Sequence, residues 1–312
     1  MPGKDLLSIS DLGGEDIRRL ISEAVAIKAR GWLSLLNRRT LALLFEKPSL
    51  RTRVSFELAM RQLGGEALYI SPAEVGLGKR ESVSDVARVL SRYVDAITVR
   101  TFSHQTLEEL AAFAAVPVIN ALSDREHPCQ ALADLLTVFE KKGELAGLAL
   151  AYVGDGNNVA HSLMLAASLT GMDFRIATPD GYQVAQTILQ RAREYAAANG
   201  AQVTCAENPE AVVNGADVVY TDVWVSMGEE AEAARRREAF RGYQVNEALL
   251  ALAKEDAILM HCLPAHRGEE VSAGIIDQPY SVVFDQAENR LHMQKAILAM
   301  LLGGLEVPLR GY

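Results

Sequence analysis

Phe45-Glu46-Lys47-Pro48-Ser49-Leu50-Arg51-Thr52-Arg53 joins two patterns that cannot belong to one element. Before it, Leu41 to Phe45 is a continuous apolar run and reads as a buried strand. After it, Phe56, Ala59, Met60 and Leu63 recur at helical spacing on one face. Ser49 then stands at the N-cap, and Arg51 and Arg53 fall in the first helical turn. Cations are unfavourable there, because a helix N-terminus is already positive. Two arginines and two hydroxyls at that point describe an anion site. Backbone N–H groups, the dipole, hydroxyls and guanidinium forks all suit a phosphate. Taken alone, Ser-x-Arg-Thr-Arg fits a plainly capped helix with solvated arginines equally well.

The rest of the chain repeats the strand–loop–helix grammar. Apolar runs at Leu41–Phe45, Ala67–Ile70, Asp95–Arg100 and Val116–Asn120 alternate with helical patterns. So do Leu148–Val153, Phe174–Ala177, Gln202–Cys205, Val218–Tyr220, Ile258–His261 and Val282–Phe284. Continuous rather than alternating apolar runs suit parallel strands covered on both faces. At 312 residues the chain has room for two domains with separate cores. The expected fold class is α/β, two domains, each a parallel sheet with helices on both faces, joined by two helices. The seam is expected at Lys141-Lys142-Gly143, giving domains 1–141 and 142–286, with a last helix from about Ala287 to Leu302 and the segment 287–312 packing back on the first domain. Arg235-Arg236-Arg237, among Glu and Ala, reads as a solvated helical face.

Composition limits the partners. The net charge is −9, which argues against a nucleic-acid surface, so any anion must be held by a local cluster. Cys129, Cys205 and Cys262 are too scattered for a disulfide framework or a zinc site. No secretory cleavage pattern and no apolar run of about 20 residues is present, so a cytoplasmic protein without membrane partners is expected. No cofactor and no metal is expected either.

Ligands of open parallel sheets bind beyond the carboxyl ends of the strands. The distinctive segments follow expected strands: Ser49–Arg53, Arg100, His127-Pro128-Cys129-Gln130, Gly154-Asp155-Gly156-Asn157-Asn158, Asp222…Ser226-Met227-Gly228 and His261-Cys262-Leu263-Pro264. They imply one cleft between the domains. A dinucleotide loop is excluded after the fifth run, because Val159 and Ala160 break Gly-x-Gly-x-x-Gly.

Together these segments resemble the aspartate/ornithine carbamoyltransferase family, over almost the whole chain and in order. Ser-x-Arg-Thr-Arg and His-Pro-x-Gln are shared across that family. Asp222…Ser226-Met227-Gly228, His261-Cys262-Leu263-Pro264 and Phe284-Asp285-Gln286-Ala287-Glu288-Asn289-Arg290 look like its ornithine branch. The resemblance implies transfer of the carbamoyl group of carbamoyl phosphate to the δ-amine of L-ornithine, in arginine biosynthesis. It implies homotrimers, or multiples of them, with active sites between subunits.

The roles follow from the same resemblance. Ser49, Leu50 (through its backbone), Arg51 and Thr52 would hold the phosphate, and Arg290 would close over the ligand. Arg100, His127 and Thr52 would polarise the carbamoyl oxygen. Gln130 and the Leu263 carbonyl would accept from the carbamoyl NH₂. Asp222 would take the α-ammonium, and Asn158, Ser226 and Met227 the α-carboxylate. Cys262 would help orient the δ-amine with Asp222. Residues 74–82 match a segment that reaches a neighbouring subunit's site. Gly76 stands there where many ornithine enzymes have Gln or His, and Lys79 is the alternative donor. Cys129 and Cys205 read as packing residues. The rivals are carbamoyltransferases acting on aspartate, putrescine or acylated ornithine, and a non-catalytic two-domain amino-acid-binding protein. Asp222 with Ser-Met-Gly and His-Cys disfavours aspartate.

Overall fold

The computed structural model describes residues 3–303 apart from 78, 79, 227 and 229, so Lys79, Met227 and the expected packing of 304–312 lie outside the described residues. Contacts divide the chain inside two helices, after Leu136 and after Glu288, into two compact units.

The first unit runs α1 (Gly14–Arg30), β1 (Thr40–Phe45), α2 (Leu50–Gln62), β2 (Glu66–Ile70), α3 (Pro72–Val75), α4 (Val83–Leu90), β3 (Ala96–Arg100), α5 (His104–Phe113), β4 (Val118–Leu122) and into α6 (Pro128–Lys142). Its sheet is parallel throughout, in the order β2-β1-β3-β4. Leu41 to Phe45 and all of β3 are buried, as expected of strands covered on both sides. Ala42, Leu44, Ile97, Val99 and Val118 pack there with Val86, Leu107 and Leu110 of α4 and α5. β4 starts two residues later than the apolar run suggests. Pro117 has no N–H to offer a ladder, although its carbonyl still accepts from Ile97.

The second unit continues with β5 (Ala149–Val153), α7 (Asn158–Thr170), β6 (Asp173–Ala177), α8 (Gln186–Asn199), β7 (Val203–Ala206), α9 (Pro209–Val213), β8 (Val218–Thr221), α10 (Ala233–Ala239), α11 (Glu247–Leu250) and β9 (Ile258–His261), reaching α12 (Val283–Leu301). Its parallel sheet has the order β7-β6-β5-β8-β9. Tyr152 stacks on Tyr220 and Phe174 from the strands on either side, with ring centroids 5.6 and 6.4 Å apart.

Both sheets wind outward from a central strand, so each has a switch point. In the first it lies between β1 and β3, in the second between β5 and β8. The loops leaving these strands diverge and open a crevice. Ser49 and Arg100 follow one pair; Asn157 and Asp222 follow the other. Among the described residues no helix is long and apolar enough to cross a membrane.

Two expectations fail here. Val282–Phe284 is not a strand. Ser281 makes an isolated parallel bridge to Leu259 and the Val282 amide donates to the Leu259 carbonyl, but the Val282 carbonyl already accepts from Gln286 as α12 begins. A short apolar run fits either element, and here it opens α12, whose Gln286 accepts from the His261 N–H at 2.9 Å. Cys205 is not packed: it is exposed on the edge strand β7.

Phe56 on α2 is fully buried with Ala59, Met60 and Leu63, the face read from the spacing. Phe56→Ala is expected to cost about 3–5 kcal/mol of unfolding free energy. Denaturant titration checks this, and a loss below about 1 kcal/mol contradicts it.

Candidate active site

Ser49 caps α2. Its backbone is extended, and its Oγ accepts from the Thr52 N–H at 3.4 Å while donating to Thr52 Oγ1 at 3.0 Å. Thr52 Oγ1 also accepts from Arg290 Nη2 at 2.7 Å, so α12 brings its guanidinium to the first turn of α2. Arg290 is 4% exposed. Arg100 ends β3 and is also buried. The ladder to β4 shifts register between Val99 and Arg100, an irregularity of the kind that re-aims a side chain. The Arg100 carbonyl accepts from the Glu46 N–H and the Glu46 carboxylate accepts from Thr101 Oγ1, which ties together the loops after β1 and β3.

His127 stands at the head of α6, its carbonyl accepting from Gln130 and Ala131. Burial, then Arg290, then Arg100, hold its pKa well below the usual imidazole range. The ring is therefore neutral, with one N–H to donate. Gln130 is 1% exposed. Its Nε2 donates to Asp134 Oδ1 at 2.8 Å, which fixes the amide, and its Oε1 receives no hydrogen bond from the described residues. The loop is braced from the N-terminal segment: Glu126 accepts from Ser8 Oγ at 2.6 Å and from the Ile9 N–H at 3.0 Å. Every group named so far in this subsection belongs to the first unit.

In the second unit, Asp222 follows β8 and is buried. Its Oδ1 accepts from Cys262 Sγ at 3.0 Å and its Oδ2 from Asn157 Nδ2 at 2.9 Å. His261 Nδ1 accepts from the Leu263 N–H at 2.8 Å, so its proton sits on Nε2 and points at Glu270 Oε1, 3.2 Å away and equally buried. Asp222, His261 and Cys262 bring ligand atoms within 4.8 Å of one another. That set does not fit a metal, because both ring nitrogens are committed and the thiol itself donates to the carboxylate.

This arrangement has counterparts of known sequence and structure. Residues 4–140 match the carbamoyl-P binding domain of aspartate/ornithine carbamoyltransferase, and residues 146–301 match its Asp/Orn binding domain. The chain belongs to the aspartate/ornithine carbamoyltransferase family. It is 54% identical to the ornithine carbamoyltransferase of Halalkalibacterium halodurans over 308 residues, 97% of each chain. It is 52% identical to the anabolic enzyme of Pyrococcus furiosus over 310 residues, 98% of each. The solved Pyrococcus furiosus structure superposes with a TM-score of 0.95 at 52% identity, covering 98% of this chain and 99% of that one.

Within this family frame, the first unit brings together Ser49, Arg51 and Thr52 at the start of α2, and sets Thr52 against Arg290 and His127 beside Arg100 and Arg290. Leu50 is 78% exposed, leaving its backbone as the part that can serve a ligand there. Arg53 is outside this group. It pairs with Glu57 at 2.8 Å and lies over the Tyr69 ring, so it braces the α2 surface. Cys129 is packing: it is buried, donates to the Asn120 carbonyl, and is pushed up to about 12 by burial.

The second unit joins Asp222 to Cys262, with Asn158 as the first residue of α7 and Ser226 partly exposed in the loop beyond β8. Leu263 turns at φ 57, directly after Cys262. Gly76 has φ +50, a conformation other residues rarely adopt, so the glycine there has a backbone reason.

The solvated reading of Arg235–Arg237 fails at its centre. Arg236 is 7% exposed, bonds Asp155 Oδ2 at 2.8 Å and the Trp224 carbonyl at 3.1 Å, and lies over the Tyr182 ring. It anchors the segment after Asp222 to the loop after β5. The cap of α7 is Asn157, and Asn158 is the first helical residue. Neither assignment has a signal in the sequence beyond the residue types themselves.

The state of His127 has a measurable consequence. The unfolded chain's histidine titrates near 6.5, and the folded one lower. Below about pH 6.5 the unfolded chain therefore takes up a proton that the folded chain refuses, so stability is retained above that pH and falls below it. His104, also lowered by burial, acts in the same direction. His127→Asn is expected to flatten part of this fall, leaving the share of His104. Urea unfolding at pH 5.0, 6.5 and 8.0 checks it, and identical pH dependence in parent and variant contradicts it.

Proposed function

We propose that the protein transfers the carbamoyl group of carbamoyl phosphate to the δ-amine of L-ornithine, releasing citrulline and phosphate, in arginine biosynthesis. The observation that carries this reading is Gln130. Its amide is locked by Asp134 with a buried, unengaged acceptor oxygen, on the same helix start as a neutral His127 near two arginines. A carbamoyl group has the matching polarity: an NH₂ to donate and a carbonyl oxygen that gathers negative charge.

In this mechanism the phosphate sits on the Ser49, Arg51 and Thr52 end of α2, where backbone donors and the dipole favour a dianion. His127, Arg100 and Thr52 surround the carbonyl oxygen and stabilise the oxyanion as it forms, being already oriented. Arg290 reinforces Thr52 and the phosphate. Asp222 receives the α-ammonium of ornithine, and Asn158, Ser226 and Met227 serve its α-carboxylate. Cys262, hydrogen-bonded to Asp222, orients the δ-amine and forms no covalent bond to substrate.

The neutral δ-amine attacks the carbamoyl carbon. A C–N bond forms, the C–O bond to phosphate breaks, and the amine proton leaves on a phosphate oxygen. No side-chain base is needed, but an alkyl amine has a pKa near 10.4, so the rate is expected to rise with pH through neutrality. The reading includes no metal and no cofactor.

We assign the protein to the cytoplasm and to a homotrimer. Leu68 on the edge strand β2 and Leu50, Val54 and Leu58 on α2 are exposed apolar residues, which supports a covered edge at that face.

Purified protein is assayed for phosphate and carbamoylated product with ornithine, putrescine, acylated ornithine and aspartate. Ornithine should be the preferred amine by a wide margin. Preference for putrescine or acylated ornithine would refute the substrate, and binding without phosphate release would favour a non-catalytic binding protein. Arg51→Ala should weaken carbamoyl phosphate by about 1.5–3 kcal/mol per lost charge-assisted hydrogen bond while the fold survives. Calorimetric titration checks it, and unchanged affinity contradicts the phosphate assignment.

A further inference from the structure

We infer that Asn157 is a positioning residue for the ornithine site, holding the Asp222 carboxylate in the orientation that receives the substrate. The inference rests on the ornithine reading and adds a residue to it.

The geometry fixes the Asn157 amide without ambiguity. Oδ1 accepts from the Val159 N–H at 2.9 Å and the Ala160 N–H at 3.1 Å, as the N-cap of α7. Backbone N–H groups only donate, so the oxygen must face the helix and the NH₂ must face away from it. Nδ2 then meets Asp222 Oδ2 at 2.9 Å. The buried Tyr152 hydroxyl, kept protonated because burial raises its pKa, also lies 3.4 Å from Oδ1. Asp222 is thus held at both oxygens, by Asn157 on one and Cys262 on the other.

The choice of residue type carries the argument further. A cap alone is satisfied about equally by Asn, Asp or Ser. Only Asn adds a donor that can reach a neighbouring carboxylate while its oxygen remains on the helix. The switch point makes the pairing possible. Asn157 follows β5 and Asp222 follows β8, and these strands are neighbours in the sheet, with Val153 opposite Thr221. Thr221 Oγ1 adds a hydrogen bond to the Val153 carbonyl at 2.7 Å, fixing the two strand ends to each other just before the paired residues.

Two variants separate positioning from capping. Asn157→Ser keeps a capping oxygen and loses the reach to Asp222. Asn157→Asp keeps the cap and sets a second carboxylate against the first. Steady-state kinetics, carbamoyl phosphate calorimetry and thermal unfolding are measured on the intact protein. Both variants should melt within a few degrees of the parent and bind carbamoyl phosphate as the parent does. The KM for ornithine should rise about tenfold or more in Asn157→Ser, further in Asn157→Asp, with kcat changed less. In an Asp222→Ala background Asn157→Ser should add little, because the acceptor of the Asn157 amide is already gone.

An unchanged ornithine KM in Asn157→Ser overturns the proposal. So does a rise of the same size in the Asp222→Ala background, or one accompanied by an equal loss of carbamoyl phosphate affinity and a large drop in melting temperature. A parent protein that makes no citrulline overturns the ornithine reading first, and is distinguished from these outcomes by the parent assay alone.

Discussion

Burial of positive charge beside a histidine that must stay neutral is the constraint on which the first unit is organised. Arg100 and Arg290 both press on His127, and both are buried. Burying two cations against one ring is costly, and groups perturbed in this way cluster at functional sites. The parallel sheet makes this arrangement reachable. β1 and β3 end side by side, α2 and α6 begin beyond strand ends of that sheet, and the N-terminal dipole of α2 adds to the same field. Arg290 reaches Thr52 across 238 positions of sequence, so α12 is tied to the first turn of α2.

The second sheet solves the opposite problem with the same topology. A carboxylate, a thiol and an amide are gathered at its own switch point, and hydrogen bonds leave Asp222 with one orientation. The surrounding polar groups are engaged in pairs. Arg236 with Asp155 holds the neighbouring segment, and His261 with Glu270 holds the turn at Leu263. Buried polar networks of this kind rigidify a site only when their members are satisfied. Cys262 is engaged in this setting by its hydrogen bond to Asp222, where a lone cysteine at the end of an apolar strand would otherwise be a small hydrophobe.

Much of this was legible in the chain because the signals were local. Ser49 as a cap, the apolar face of α2, nine of the ten strand runs and the position of the distinctive loops at strand ends all follow from spacing and residue type. The roles proposed for Arg100, His127, Gln130, Asp222 and Cys262 rest on the family resemblance. What the chain does not display is pairing over distance. Arg236 sits in a charged helical pattern, and it is buried among Asp155, 81 positions away, the Trp224 carbonyl and the Tyr182 ring. Glu126 and Ser8 meet across 118 positions. Cys205 looks like a core residue until β7 is known to be an edge. Val282–Phe284 is apolar enough for a strand but leads into α12 instead. Asn157 meets Asp222 across 65 positions.

The most direct measurement is a crystal structure of the protein with a non-hydrolysable phosphonate analogue of carbamoyl phosphate. Its phosphonate oxygens should lie on Arg51 and the N–H groups at the start of α2. Its carbonyl oxygen should lie within hydrogen-bonding distance of His127 and Arg100, and its NH₂ should donate to Gln130 Oε1. An analogue bound away from the start of α2, or one that meets Gln130 through Nε2, would contradict the anion site and the carbamoyl orientation on which the mechanism stands.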